Sequence, residues 1–146
     1  MSRKHKAPRL RPTPIPSKTP TVRPTPIGRG KVSFSFEYLD PDHTKFRIAS
    51  RSPEYFCTVI RRLRELCHCT PMELKTSGSK ALRCHRIEWG DPKVTEKAFG
   101  LNNEEDIVSE PLEINVSANE SGRIHGFFVG AVFFIRWFDP DHNLYR

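Results

Sequence analysis

Hydrophobic and polar residues alternate along several stretches of this 146-residue chain, and each stretch predicts a β-strand with one buried face. The clearest single example is VSFSFEY, in which Val32, Phe34, Phe36 and Tyr38 alternate with polar side chains. The most apolar part of the sequence is GRIHGFFVGAVFFIRWFDPDHNLYR, which runs from Gly122 to the last residue. The predicted strands are 32–38, 82–89, 112–116, 123–129 and 132–138.

The last two strands are expected to form a β-hairpin around Gly130-Ala131. A glycine at the first position of a two-residue loop suits a type II′ turn, which requires a positive φ there. Counting from this turn pairs Val129 with Val132 and Arg123 with Phe138. Alternation then predicts one wholly apolar face, made of Ile124, Gly126, Phe128, Phe133, Ile135 and Trp137. The opposite face mixes cations with aromatic rings: Arg123, His125, Phe127, Phe134, Arg136 and Phe138.

Two helices are predicted between the first strand and the rest. Ser52-Pro53 supplies an N-cap and a proline at the first helical position, and apolar residues then recur at helical spacing to about His68. Thr70-Pro-Met-Glu73 is a capping box that starts a short second helix. The arginines of the first helix, Arg61, Arg62 and Arg64, are expected to face solvent by default, the alternative being an acidic partner. A helical turn is expected over 94–99, and 104–106 reads as an acidic loop or cap.

The order of these elements predicts an α+β domain over 32–146. One strand is followed by two helices and then by an antiparallel sheet that ends in the C-terminal hairpin. We expect the first strand to join the same sheet and the helices to cover its apolar face.

Residues 1–31 differ from the rest in composition. Of the 24 Lys and Arg residues, nine lie in 1–31 with no Asp or Glu, so 15 remain in 32–146 against 17 acidic residues, a net charge of −2. This basic, proline-rich stretch repeats Arg-Pro-Thr-Pro-Ile at 11–15 and 23–27, and it is expected to be a disordered tail. The tail is either a solvating leader or a tether to nucleic-acid phosphate. Neither a signal peptide nor a membrane span is predicted, which favours a cytoplasmic location without membrane partners.

Two features raise the question of a metal site. The four cysteines, Cys57, Cys67, Cys69 and Cys84, lack a paired CxxC spacing, so reduced thiols and no metal are expected. The tetrapeptide Asp-Pro-Asp-His occurs at 40–43 and again at 139–142. It is explained either as a repeated turn or as two loops that together form a metal or acid/base site.

The strand and helix order over 32–146 resembles the RelE/ParE toxin superfamily. The resemblance is carried by Gly122-Arg-Ile-His-Gly-Phe127, the following strand, and the ending His142-Asn-Leu-Tyr-Arg146. It implies a toxin-type protein that cleaves RNA or inhibits translation, without a metal or cofactor, and that an antitoxin neutralises. RNA or the ribosome would be the target.

The resemblance also implies roles for individual residues. Members that cleave messenger RNA carry basic residues on the open face of the sheet and often a histidine or tyrosine near the end of the chain. His142, Tyr145, Arg123 and Arg136 are therefore expected to be catalytic. His125, Arg146 and Phe127 are expected to bind substrate. In such a site His142 is the acid or base, Tyr145 positions the base or stacks on a nucleobase, and the two arginines hold the phosphate.

Two other functions fit the same sequence. One is a non-enzymatic module that binds a protein or nucleic acid and uses the basic tail as a tether. The other is a metal-dependent hydrolase built on the two Asp-Pro-Asp-His loops. The sequence contains no glycine-rich phosphate loop, GxSxG or HExxH motif, which disfavours the common nucleotide-binding, serine-hydrolase and zinc-protease classes.

Overall fold

The computed structural model describes residues 30–79, 84–117 and 122–146. Most of the predicted basic tail, the start of the predicted 82–89 strand and the connection at 118–121 lie outside these residues. Within them the chain forms an α+β domain around one five-stranded sheet. The α+β prediction is confirmed.

The sheet has the strand order β1-β5-β4-β3-β2 and is mixed, because β1 runs parallel to β5 while the other neighbours are antiparallel. The first strand therefore does join the sheet, beside the last one. The elements are β1 (Ser33–Ser35), α1 (Pro53–Leu66), α2 (Pro71–Thr76), β2 (His85–Arg86), α3 (Glu104–Ile107), β3 (Leu112–Asn115), β4 (Arg123–Val129) and β5 (Val132–Asp139).

Both predicted helix starts are confirmed by their capping contacts. The Ser52 hydroxyl accepts the Tyr55 N–H at 3.3 Å, and Pro53 occupies the first position of α1. At α2 the Thr70 hydroxyl accepts the Glu73 N–H, while the Glu73 carboxylate accepts the Thr70 N–H at 3.0 Å. Each contact satisfies a backbone donor that the first helical turn leaves without an internal partner.

The hairpin has the predicted turn, and its register is correct only near that turn. Gly130 has φ 60, as the first position of a type II′ turn requires, and Val129 lies opposite Val132. A β-bulge at His125/Gly126 then places His125 opposite Trp137 and Arg123 opposite Asp139. Since one extra residue on one strand reverses the alternation beyond it, the predicted faces of Trp137 and Phe138 are wrong and these two residues exchange sides.

The sheet carries a hydrophobic core on each of its faces. The helices α1 and α2 cover the predicted apolar face, where Val59, Leu66 and Leu74 pack with Ile124 and Phe133. The opposite face, predicted to be open and cationic, is covered by loops and forms a second core. This second core consists of Phe46, Ile87, Val94, Phe99, Phe127, Trp137 and Leu144.

Two local predictions are wrong. Arg62 does not face solvent; it is buried, and its Nε–H donates to the Asn115 carbonyl at 2.8 Å, which ties α1 to the end of β3. No helical turn forms over 94–99, and the acidic residues instead begin α3. The Glu104 carboxylate accepts the backbone N–H groups of Phe99 and Leu101, each at 3.1 Å, so the preceding loop is held against α3.

Replacement of Gly126 by alanine is expected to be destabilising, because β5 passes directly over this glycine at the bulge. An added Cβ would lie 2.1 Å from the Phe134 carbonyl oxygen. We expect a loss of about 1–3 kcal/mol in the free energy of unfolding, measured by urea denaturation. The control is Gly78→Ala, whose added Cβ meets no heavy atom within 4 Å. Equal stabilities of the two variants would contradict the bulge geometry.

Among the residues described, no helix has the length and apolar character needed to cross a bilayer.

Candidate functional site

The chain after β5 folds back across the second core and brings two predicted site residues onto the sheet. The Leu144 side chain is fully buried in that core, and the Leu144 carbonyl accepts the Thr95 N–H at 2.7 Å. The Arg146 N–H donates to the Lys93 carbonyl at 2.9 Å, and Tyr145 forms an isolated β-bridge with Val94. His142 and Tyr145 are therefore held at fixed places beside the sheet.

Four side chains form what we call the His142 patch: Glu113, Arg123, His142 and Tyr145. The rings of His142 and Tyr145 lie 5.6 Å apart between centroids. Glu113 on β3 is paired with His125 on β4, and Arg123 lies two residues before His125 on the same face. Besides the effect of burial, Glu113 raises and Arg123 lowers the pKa of both His142 and Tyr145, which is why we group the four side chains.

The imidazole of His142 is biased toward its neutral form. Partial burial lowers the pKa of His142, and the Arg123 guanidinium lowers it further, against the opposing effect of the Glu113 carboxylate. A neutral imidazole at pH 7 has a lone pair that can accept a proton. His142 also has a left-handed backbone, with φ 57, and its side chain is exposed.

Tyr145 and Glu113 supply a donor and an acceptor to the patch. Burial and then the Glu113 carboxylate raise the pKa of Tyr145 to about 12, so its phenol stays protonated and can donate. The Oε2 atom of Glu113 is buried and has no hydrogen-bond partner among the described residues. The patch therefore presents a base, a donor and a cation at a partly exposed surface, while its acceptor, Glu113 Oε2, is buried.

The other predicted site residues lie elsewhere. Arg136 ties loops to β5: its Nε–H donates to the Phe99 carbonyl at 2.9 Å and its Nη1–H to the Tyr38 carbonyl at 2.8 Å. His125 and Phe127 are each 0% exposed, so we assign them to the interior and not to a substrate-binding surface. Arg146 is exposed at the end of the described chain and is not among the four residues of the patch.

A buried pair, His125 and Asp139, lies beneath the patch. The His125 Nε2–H donates to Asp139 Oδ2 at 3.1 Å, and both side chains are 0% exposed. Burial alone would raise the pKa of Asp139, but the hydrogen bond from His125 and two backbone N–H donors hold that pKa below its ordinary value. A depressed carboxyl pKa stabilises the fold at pH values above the unfolded-state pKa. This contribution is lost as the pH falls through the lower, folded-state value.

The two Asp-Pro-Asp-His segments are both turns, as the first of the two explanations proposed. The loops that follow them touch, since the Asn143 Nδ2–H donates to the Lys45 carbonyl at 3.2 Å. Among the residues that the structure describes, no group of three or more His, Cys, Asp or Glu side chains is arranged to hold a metal ion. All four cysteines are free, and Cys84 is buried with its thiol donating to the Leu74 carbonyl.

Glu113 and Asp139 are not identifiable as site residues from the sequence pattern alone. Glu113 occupies a polar position of the alternating 112–116 strand, and only the register of β3 against β4 shows that it shares a face with Arg123. Asp139 belongs to the second Asp-Pro-Asp-His segment, and a turn at this segment does not reveal that the bulge carries the Asp139 carboxylate into the interior beside His125.

Comparison of the chain with protein-family models, with curated protein sequences and with solved structures found no match.

Proposed function

We propose that the protein is a metal-independent endoribonuclease whose active site is the His142 patch. The observation that carries the proposal is the grouping of a neutral-biased histidine, a protonated tyrosine and an arginine at one partly exposed surface. RNA cleavage without a metal needs a base for the 2′-hydroxyl, a donor for the leaving oxygen and a cation for the phosphorane.

The proposed step is an internal transesterification. His142 removes the proton of the 2′-hydroxyl, and the resulting oxygen attacks the adjacent phosphorus. The bond between phosphorus and the 5′-oxygen breaks, and that oxygen takes the phenolic proton of Tyr145. The products are a 2′,3′-cyclic phosphate and a 5′-hydroxyl, and proton transfer from the histidine to the tyrosinate through solvent restores both groups.

Arg123 and Glu113 have supporting roles in this proposal. The guanidinium of Arg123 stabilises the additional negative charge of the phosphorane, for which its planar set of donors is suited. The Glu113 carboxylate opposes the effect of the Arg123 charge on the pKa of His142, and its buried Oε2 lies out of reach of substrate. Because the step consumes the 2′-hydroxyl, the substrate class is RNA and not DNA.

The RelE/ParE-like toxin assignment belongs to the same proposal. It rests on the strand and helix order and on the sequence of β4, β5 and the following segment. Under this proposal the protein acts on cytoplasmic RNA or on the ribosome, and an antitoxin restrains it. The nine basic residues of 1–31 supply attraction to phosphate that the remainder, with its net charge of −2, lacks.

Controlled expression in a bacterial host tests the proposed function. We expect the wild-type protein to arrest growth and to fragment messenger RNA within the same interval. The double variant His142→Asn, Tyr145→Phe should do neither, because it lacks both the base and the phenolic donor while retaining similar shapes. The matched control is His68→Ala, an exposed histidine after α1, which should be as toxic as the wild type.

The outcomes test the proposed target and the proposed active site separately. Growth arrest with intact messenger RNA would contradict the ribonuclease proposal and move the target elsewhere. Fragmentation by the double variant at the wild-type rate would contradict the assignment of the His142 patch. Each variant must accumulate as folded protein for the comparison to hold, and thermal unfolding of purified samples measures this.

A second candidate function, protein binding, is favoured by the outer face of α1. Phe56 and Ile60 lie one turn apart and are 37% and 64% exposed. Arg61 and Arg64 beside them are exposed as well, so the face suits an acidic, amphipathic segment of a partner protein. A folded wild-type protein without any effect on growth or RNA would favour this function over the nuclease.

A further inference from the structure

Asp139 anchors the segment that carries His142 and Tyr145. Three consecutive backbone N–H groups converge on this one residue. The His142 N–H donates to the Asp139 carbonyl at 3.3 Å, the Asn143 N–H to Oδ1 at 2.7 Å and the Leu144 N–H to Oδ2 at 3.0 Å. The direction that the chain takes after β5 is therefore set by the Asp139 carbonyl and carboxylate.

The backbone of His142 needs such an anchor. Its φ of 57 lies in the left-handed region, which residues other than glycine occupy mainly where their surroundings hold them. The next two N–H groups along the chain are the ones that the Asp139 carboxylate accepts. Fixing these groups fixes the backbone that follows His142 and leads directly into Tyr145, the residue after Leu144.

His125 in turn orients the Asp139 carboxylate from below. The two side chains are 0% exposed, so the carboxylate cannot exchange its partners for water. The Nδ1 atom of His125 is buried and has no partner among the described residues. A lone pair is less costly to leave unpaired than an N–H donor, which assigns the Nε2–H tautomer and makes His125 a donor to Asp139.

The first Asp-Pro-Asp-His segment, at 40–43, has the same sequence without the buried anchor and serves as a comparison. Asp40 occupies the position equivalent to Asp139, but its Oδ1 accepts only the Asp42 N–H, at 3.3 Å, among the bonds the structure describes. The Asp40 side chain is 34% exposed, and Arg136 Nη2 approaches it only to 4.0 Å. The same tetrapeptide sequence therefore forms an ordinary surface turn at 40–43 and a buried anchor at 139–142.

We infer that Asp139 and His125 are positioning residues that hold His142 and Tyr145 opposite Glu113 and Arg123. Neither contacts substrate, since both are fully buried. The catalytic consequence of this inference rests on the proposed nuclease function. The positioning itself is a property of the folded chain and can be measured without any activity.

Nuclear magnetic resonance on Asp139→Asn tests the positioning directly. The amide replaces one acceptor oxygen by an NH₂ group, which then opposes a backbone N–H donor. We expect amide hydrogen exchange at Asn143 and Leu144 to accelerate by at least about 10-fold, while Ile124 in β4 exchanges as in the wild type.

The matched control is Asp40→Asn, which should leave the exchange at Asn143 and Leu144 unchanged. Unchanged exchange at these two amides in Asp139→Asn would overturn the inference. So would acceleration of the whole sheet to the same degree, since this would show general destabilisation and not release of one segment.

Kinetics add a readout that a purely structural role would not move. If the wild type cleaves RNA, Asp139→Asn should lower kcat by about 10²-fold and change KM less than about 3-fold, because misplaced catalytic groups impair the transition state more than binding. Retention of the wild-type kcat would overturn the inference. If the wild type cleaves no RNA, the proposed function fails, and the exchange data alone decide whether Asp139 positions the segment.

A measurement on the wild type covers the case in which Asp139→Asn does not fold. The amide proton shifts of Asn143 and Leu144 are followed from pH 7 downward. Both should titrate together with the Asp139 carboxyl, at a common midpoint below the ordinary aspartate value, because both donate to this carboxylate. Independent midpoints, or no change at these two amides, would overturn the inference.

Discussion

Replacing His142 by asparagine is expected to slow RNA cleavage by about 10³-fold, the scale of a lost general base. Asparagine tolerates the left-handed backbone that His142 adopts, with φ 57, so the variant removes the titrating group without adding backbone strain. The measurement is the single-turnover rate on a single-stranded RNA oligonucleotide. KM should change little, because phosphate binding is assigned to Arg123.

The pH dependence of the cleavage rate should have a definite direction. A base must be neutral to act, so the wild-type rate should fall as the pH drops through the pKa of His142. Burial and Arg123 lower that pKa, and the fall should therefore occur below the ordinary histidine value of about 6.5. A rate for His142→Asn within a few-fold of the wild type would remove His142 from the mechanism, and His68→Ala serves as the histidine control.

Truncation of Phe127 to alanine is expected to cost about 3–5 kcal/mol of the free energy of unfolding. The ring is 0% exposed and stacks on Phe134 and Tyr38, with centroid distances of 5.5 Å and 6.1 Å. Its removal leaves a cavity in the second core, which the surrounding aromatic rings can fill only in part. Urea denaturation of the two proteins measures the difference.

The control for this truncation is Phe36→Ala, since that ring is 54% exposed and should contribute less than about 1 kcal/mol. The pair of variants decides between two descriptions of the same sheet face. An open substrate-binding face would make Phe127 as dispensable for stability as Phe36. A large loss confined to Phe127 supports the second core.

The alternation of hydrophobic and polar residues identified most of the strands, but it did not show which side chains lie on each face of the hairpin. The turn at Gly130 and the pairs nearest to it follow from the sequence, because glycine with positive φ fixes both the turn type and the local register. The bulge at His125/Gly126 is marked in the sequence only by Gly126, because an isolated glycine in a strand indicates a bulge without fixing the register beyond it. The bulge reverses the sides of Trp137 and Phe138. The one-residue register shift at the bulge, which was not predicted, thus accounts for the wrong composition of both faces.

The candidate site could also be predicted only in part, because alternation along the strands does not show the register or the covering loops. His142, Tyr145 and Arg123 were named from their chemistry and from the resemblance, and the structure brings these three together. Arg136 and Phe127 were assigned to the same surface by strict alternation, which ignores the loops that cover that face. Residues in 94–99 and 38–46 pack on the sheet from distant parts of the same chain. This packing leaves no periodic signal in the sequence, so the second core could not be derived from the strands alone.

The most direct test of the central claim is the reaction of the purified 146-residue protein with one single-stranded RNA in the presence of EDTA, beside a DNA of the same sequence. The His142 patch predicts cleavage of the RNA to products with 2′,3′-cyclic phosphate and 5′-hydroxyl ends, no cleavage of the DNA, and loss of both products in His142→Asn. Cleavage of the DNA, or undiminished RNA cleavage by His142→Asn, would contradict the claim. An RNA left intact by folded wild-type protein would contradict it as well.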